Sequence, residues 1–295
     1  MKISFITTVL NEAKTIQALL DSIQTQTKKP DELIIVDAGS TDQTCRLVKS
    51  HPLKNKLSLR LIQKAGANRS QARNLSVELA KHGIIAVSDA GCRLDPDWLK
   101  RLTEPLQNSS VSAVAGYYQP ETTTVFQTCV SPFVAVMPDR FNPKTFIPSS
   151  RSLAFKKSAW ALAGRYPENL NFCEDLVFAS KLKAKTNLAV RPDAIVYWSM
   201  VKNLPQFYTQ IFHYASGDVQ ARYRPHLKKI ISVFVRYLVF SGLPPLFLLY
   251  LLVPVIKRYH YVNHPLAIFY LPLLQITSDI GIMLGSLYGL FKKRS

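Results

Sequence analysis

Cysteine and histidine are scarce in this 295-residue chain, and acids are nearly missing from its last third. The four cysteines (Cys45, Cys92, Cys129 and Cys173) are scattered, with no C-x-x-C pair. That spacing argues against a zinc site or a disulfide framework and fits a reducing compartment. Six histidines form no metal-ligand pattern. No internal repeat or low-complexity tract is present. The opening residues read as free of a signal peptide: Asn11, Glu12 and Lys14 interrupt the apolar stretch after Met1-Lys2, and no small-residue cleavage site follows. Beyond residue 180 there are 15 basic and three acidic side chains, against a whole-chain net charge of +18. Apolar residues make up 47% of the chain and charged residues 19%, enough to bury a large core. The length suits one α/β domain with an appendage. Because the basic excess lies beside apolar runs, it suggests an anionic membrane surface and argues against nucleic acid.

Up to residue 118, short β-rich runs alternate with helical patterns. Strands are expected at 3–9, 33–36, 57–62, 84–88 and 111–118. Asn11 is placed to cap a first helix whose apolar positions Ala13, Ile16, Leu19, Leu20 and Ile23 share one face. Helices follow at 68–81, with Gly83 as its stop, and from Pro96 to about residue 106. This alternation predicts a mostly parallel sheet with helices on both faces. Residues 119–150, with five prolines among aromatics, read as an irregular substrate-side segment. Beyond it come a strand at 153–155, helices at 156–163 and 174–185, a strand at 194–198 and an aromatic-rich helix at 204–223.

In an open α/β sheet, ligands bind beyond the carboxyl ends of the strands. The first strand ends in Thr7-Thr8-Val9, followed by Asn11-Glu12. The second ends in Asp37-Ala38-Gly39-Ser40-Thr41-Asp42, and the fourth in Asp89-Ala90-Gly91. Acids delivered to one rim are costly without partners, so their convergence suggests a donor-rich ligand or a metal-bound phosphate. Asp42 reads as a turn residue; Asp37 and Asp89, directly after apolar strands, read as site residues. The loop after the first strand, Asn11-Glu12-Ala13-Lys14, lacks the glycine-rich basic phosphate loop that nucleotidyl transfer would want.

An ordered set of motifs over residues 1–225 resembles the inverting family 2 glycosyltransferases of the GT-A fold. Val36-Asp37-Ala38-Gly39-Ser40-Thr41-Asp42 is similar to the V-D-D/N-G-S-T-D signature. Ala72-Arg73-Asn74 is similar to A-R-N, and Asp89-Ala90-Gly91 with Asp95-Pro96-Asp97-Trp98-Leu99 to D-x-D followed by D-P-x-W-L. Gly164-Arg165-Tyr166-Pro167-Glu168 and Glu174-Asp175 resemble the acceptor-half elements. The resemblance implies a Rossmann-like nucleotide-binding half at 1–118 and an acceptor half at 119–225. It implies a nucleotide-sugar donor, with a UDP-sugar first in line, and a lipid-linked or cell-surface glycan acceptor. Thr7, Glu12 and Asp37 would line the base and ribose pocket. Arg73 would approach the base or diphosphate, or else be a surface helix arginine. Asp89 would contact the ribose or the metal side of the diphosphate. A divalent cation, Mg2+ or Mn2+, is implied, although Gly91 stands where the family's second acid lies. Weaker binding, a water in its place, or recruitment of Asp95 would follow. Asp175 would be the general base and Glu174 its neighbour or an acceptor ligand; helix-dipole capping is the plainer reading of both. The faint echo of Q-x-x-R-W at Gln210–Tyr214 lacks the arginine and the tryptophan.

Residues 226–295 change character. The run 237–256 has no charge, and 266–291 has one, Asp279. Each is long enough to cross a bilayer. The expectation is a membrane hairpin with the catalytic domain on the cytoplasmic side of the cell membrane. Lys228, Lys229, Arg236, Lys292, Lys293 and Arg294 would face that side, against Lys257 and Arg258 in the connector. Buried core helices, or an interfacial hairpin broken by Pro244, Pro245, Pro254 and Pro272, remain open. So does a catalytically weak or inactive membrane binding protein that keeps the fold.

Overall fold

The computed structural model describes residues 1–292; Lys293 and Arg294, assigned above to the cytoplasmic flank, lie outside the described residues. In chain order the elements are β1 (Ile3–Val9), α1 (Ile16–Gln24), β2 (Glu32–Asp37), α2 (Thr44–Ser50), β3 (Ser58–Gln63), α3 (Arg69–Leu79), β4 (Ile84–Val87), β5 (Cys92–Leu94), α4 (Trp98–Thr103) and β6 (Ala113–Glu121). They continue with α5 (Val125–Val134), β7 (Leu153–Lys156), α6 (Lys157–Ala163), α7 (Glu174–Lys185), β8 (Leu188–Ser199), α8 (Leu204–Gln220), α9 (Arg224–Gly242), α10 (Pro244–Arg258) and α11 (Ala267–Phe291). They fall into two compact units. The first joins Met1–Gln119 to Asn142–Trp198; the second joins Pro120–Phe141 to the chain from Ser199 onward.

The sheet runs β3-β2-β1-β4-β7-β6-β8-β5. Only its first half is parallel: β1 pairs with β2 and β4, and β2 with β3. From β4 onward the paired strands run antiparallel, β4 with β7, β6 with β7 and β5 with β8. The sheet is therefore mixed, and the expected parallel pattern is confined to β1, β2, β3 and β4. All six residues of β2 are buried, as a parallel strand covered on both faces requires. On one face of the sheet, Phe5 meets the fully buried Trp98 edge-on, with ring centroids 5.7 Å apart, and the Trp98 Nε1–H donates to Ser152 Oγ at 2.8 Å. On the other face Ile6, Ile34 and Val87 pack with Ala72 and Val77 of α3. The order reverses at β1, between β2 and β4, which makes their carboxyl ends the ligand-binding crevice expected of such a sheet.

Several local expectations are revised. Asn11 does not cap α1, which begins five residues later behind Thr15. Asn11 instead adopts a left-handed φ of 57°, and its Oδ1 accepts from the backbone N–H groups of Thr41 and Asp42. It thus ties the loop after β1 to the loop after β2. Helix α3 stops at Leu79, ahead of Gly83. Strand β5 and helix α2 are too short to carry a periodic signal. The proline-rich 119–150 segment contains the ten-residue α5, with Pro132 inside it.

In the second unit, the uncharged run 237–256 is not one helix. It is divided at Leu243, where α9 ends and α10 begins with Pro244-Pro245. Pro244 has no N–H to continue the ladder of α9, so the expected first span is broken. The second run forms α11, which among the described residues is the one helix long and apolar enough to cross a membrane. Helix α11 packs closely along α8. A Cβ on Gly285 would lie 2.3 Å from the Phe212 carbonyl oxygen, and one on Gly289 would lie 2.6 Å from that of Ser216. Only glycine permits these approaches.

Candidate active site

The site grows from α3. Three consecutive side chains of this helix point three ways. Ala72 is buried against the sheet, and Asn74 turns toward the loop that carries Tyr166 and Glu168. The Asn74 amide donates to the Tyr166 carbonyl at 2.9 Å and to Glu168 Oε1 at 2.8 Å, and its Oδ1 accepts from Tyr166 N and Trp160 Nε1. Between them stands Arg73, 4% exposed. Its Nη2 donates to Asp89 Oδ1 at 2.8 Å and its Nη1 to Glu174 Oε1 at 2.7 Å. One guanidinium thus joins the rim acid after β4 to the first residue of α7. The reading of Arg73 as a surface arginine is corrected by this burial.

Burial alone would lower the affinity of Arg73 for its proton, but Asp89 and Glu174 outweigh it and hold the guanidinium above the usual arginine range. Burial would likewise raise the Asp89 carboxyl. Arg73, Arg151 and Arg69 overcome that and keep it below the usual carboxylate range. Glu174, 4% exposed, is pushed up by burial and then by the Asp175 charge, with Arg73 opposing.

Cys173, directly before α7, takes a left-handed φ of 65°. This tight entry turns Glu174 inward, while Asp175 stays partly exposed. Asp175 Oδ2 accepts from Ser149 Oγ at 3.0 Å, and Oδ1 from the Leu176 N–H at 2.9 Å. Ser149 Oγ in turn accepts from Arg151 Nη1 at 3.0 Å. The Arg151 guanidinium lies 3.8 Å from the Trp198 ring centroid and 5.5 Å from that of Tyr118. Sequence reasoning missed Ser149, Arg151 and Trp198. Their segment reads only as a proline-rich loop and a strand end, and the arginine's role depends on stacking between remote rings.

At the end of β2, the Asp37 carboxylate is fully buried. It accepts from the Gly39 and Ser40 N–H groups and from Ser40 Oγ. Gly39 has a φ of 109°, which favours glycine, and a Cβ there would press on Ala65. Asp37 therefore shapes the loop after β2. Thr7 is buried, and its Oγ1 has no hydrogen-bond partner. Glu12 accepts from Thr15 Oγ1 at 2.6 Å; burial raises its carboxyl, with a further push from Asp89. Asp42 acts as the expected turn residue, accepting from the N–H groups of Thr44 and Ala13.

Asp95, the acid that could stand in for the missing second one, is engaged by other groups. It accepts from the Asp97 N–H and lies beside Arg101 and Tyr197 at 3.4 Å each. Among the described residues, no group of three His, Cys, Asp or Glu side chains is placed to hold a metal ion. A side chain at Gly91 would meet open space.

These features define a mixed α/β sheet whose rim carries an Asp–Arg–Glu relay built on a buried arginine. The glycosyl transferase family 2 model matches residues 4–160, more than half of the chain, and the protein belongs to that family. It is a glycosyltransferase. It is 28% identical over 238 residues to the O-antigen chain rhamnosyltransferase RfbN of Salmonella typhimurium, covering 75% of each chain. Its fold matches the mannosyltransferase PcManGT of Pyrobaculum calidifontis in complex with GDP-Man and Mn2+. That match has a TM-score of 0.69 and 18% identity, and covers 99% of this chain and 88% of that one. It also matches residues 1–349 of S. aureus TarS in complex with UDP-GlcNAc, with a TM-score of 0.58 and 19% identity, over 97% and 91% of the two chains. Against a longer TarS structure, the chain spans 40% of that protein.

Proposed function

We propose that the protein is an inverting, nucleotide-sugar-dependent glycosyltransferase that works at the cytoplasmic face of the cell membrane. A UDP-sugar is the first donor to test, and the acceptor is a hydroxyl of a lipid-linked or cell-surface glycan. The observation that carries this reading is the Arg73 bridge, which links the donor-side acid Asp89 to the N-terminus of α7. Of the two acids at that N-terminus, Glu174 is engaged by Arg73 and buried, whereas Asp175 is reachable. Asp175 is therefore the base and Glu174 the group that fixes its neighbour.

In the transfer, the acceptor hydroxyl oxygen bonds to the anomeric carbon as the bond from that carbon to the diphosphate oxygen breaks. The acceptor proton goes to Asp175, and the nucleoside diphosphate leaves. Arg73, Arg69 and Arg151, gathered about Asp89, favour a departing diphosphate electrostatically. The residues present fit a divalent cation for which Asp89 would be the protein carboxylate, since a hard cation needs few protein ligands. When bound, such a cation supplies charge neutralisation at the leaving group. On the donor side, Asp37 and Glu12 hold the base and ribose walls, and the unpartnered Thr7 Oγ1 supports a polar contact there.

Membrane association rests on the second unit. Among the described residues, 21 of the 25 exposed large hydrophobic side chains lie between Ile231 and Phe291. A surface this apolar marks an interaction site. Helix α8, against which α11 packs, carries Gln206, His213, Asp218 and Gln220. That polar partner supports a seat in the interface for α9, α10 and α11 over two full spans.

The test is a thermal-shift screen of UDP-, GDP- and dTDP-sugars with Mn2+ or Mg2+, followed by nucleoside diphosphate release. Stabilisation by one nucleotide class with turnover supports the reading. Binding without release or transfer would favour the inactive binding protein that Gly91 brings to mind.

A further inference from the structure

The second unit holds a cluster of charges unrelated to the transfer site. Asp279 of α11 is 1% exposed. Its Oδ2 accepts from Tyr250 OH at 2.7 Å and lies 3.4 Å from Tyr237 OH; its Oδ1 accepts from Gln275 Nε2 at 3.0 Å. These are neutral donors. Arg236 of α9 reaches Asp279 only at 3.5 Å, and its buried Nε has no hydrogen-bond partner. At the end of α10, Arg258 donates to Gln275 Oε1 at 3.1 Å and stacks on Phe133, 4.0 Å from the ring centroid. It has no acid partner among the described residues, and its Nε is likewise buried and unpartnered. Lys229, also without an ion-pair partner among the described residues, is close enough to feel the charges of both arginines and of the acids Asp218 and Asp279.

Three cations thus share two acids, Asp279, whose oxygens neutral donors already occupy, and Asp218, which is engaged by His226 at 2.8 Å. Two buried guanidinium N–H groups point at nothing. Cations held together this way want an anion, and planar guanidinium forks suit phosphate oxygens. Two guanidinium forks match the several free oxygens of a phosphate monoester or diphosphate better than the two free oxygens of a diester. The helices that carry the cluster also expose Leu238, Leu252, Ile256 and Phe269. Cationic groups between apolar faces match a head group whose hydrocarbon chain stays in the bilayer. We propose that Arg236, Arg258 and Lys229 form a binding site for the doubly charged phosphate head group of a membrane lipid. This rests on the membrane reading above and deepens it, because a lipid-linked acceptor carries such a phosphate.

The experiment uses the full chain with three sets of vesicles: phosphatidylcholine alone, phosphatidylcholine with phosphatidylglycerol, and phosphatidylcholine with phosphatidic acid at matched surface charge. The site predicts binding to phosphatidic acid vesicles about tenfold tighter than to phosphatidylglycerol vesicles, the size of one charge-assisted hydrogen bond. Arg236→Gln with Arg258→Gln should abolish that preference and leave binding to phosphatidylcholine unchanged. The more exposed Lys229→Gln, which does not threaten folding, should reduce the preference. Equal binding to both anionic vesicles, or a preference that survives all three substitutions, would overturn the site. Saturable binding of inorganic phosphate alone at micromolar concentration would overturn the lipid source. Should the protein ignore every vesicle, the membrane reading falls. Short-chain, soluble phosphatidic acid then reads the site directly: binding that depends on the arginines sustains it, and binding that does not, or none, rejects it.

Discussion

Arg73 Nη1 lies 2.7 Å from Glu174 Oε1, joining two side chains that are 101 residues apart and each 5% exposed. A buried charge pair of this kind is strongly destabilised when one partner is removed, because the other is left unpaired. Arg73→Ala should cost about 3–5 kcal/mol in chemical denaturation. It should also lower transfer, since Asp89 loses its guanidinium. Stability within experimental error of the parent chain would mean that the relay does not form.

The relay has a pH signature. The folded-state carboxyl of Asp89 is depressed, so its stabilising contribution is present above the ordinary aspartate range, near pH 4, and is lost as pH falls through the lower folded value. The stability gap between the parent chain and Asp89→Asn should therefore shrink as pH drops below about 4. Glu174 runs the other way: its folded carboxyl is raised, so its contribution is fully present at low pH and is lost as pH climbs through the folded value. Denaturation midpoints for both single variants across acidic pH separate the two.

Gly91 stands at the usual second-acid position with open space around it. Gly91→Asp should add a carboxylate without a clash and lower the Mn2+ concentration for half-maximal activity by about tenfold, or 1.4 kcal/mol. Metal titration of nucleoside diphosphate release reads this. An unchanged midpoint would place the cation, or its absence, away from Asp89.

Helix α11 depends on its glycines. Gly285→Val would drive a side chain into the Phe212 backbone and should destabilise the second unit by about 1–3 kcal/mol or more. Local hydrogen exchange in α8 and α11 should rise, while that of β1, β2 and β4 stays unchanged.

Much of this was legible in the sequence, and the reasons are physical. Buried parallel strands such as β2 announce themselves as unbroken apolar runs, and the acids that follow mark the rim. Ala72-Arg73-Asn74 could be placed on a helix, yet its tertiary work was hidden because Asn74 and Arg73 bond to residues about a hundred positions away. Asn11 looked like a cap by position, but the hydrogen bonds it makes depend on the loop after β2. Hydropathy alone read 237–256 as one element, since it does not register the missing N–H of Pro244. Arg151 carried no local signal, for its rings come from β6 and β8.

The central claim is that Asp175 takes the acceptor proton while Asp89 and Arg73 serve the donor. The most direct measurement compares Asp175→Asn with Glu174→Gln in transfer assays, with nucleotide binding followed by calorimetry. Asp175→Asn should reduce transfer by about 100-fold or more and leave nucleotide affinity nearly unchanged, as loss of a general base facing the acceptor requires. Near-normal transfer by Asp175→Asn, with the loss falling on Glu174→Gln instead, would contradict the account.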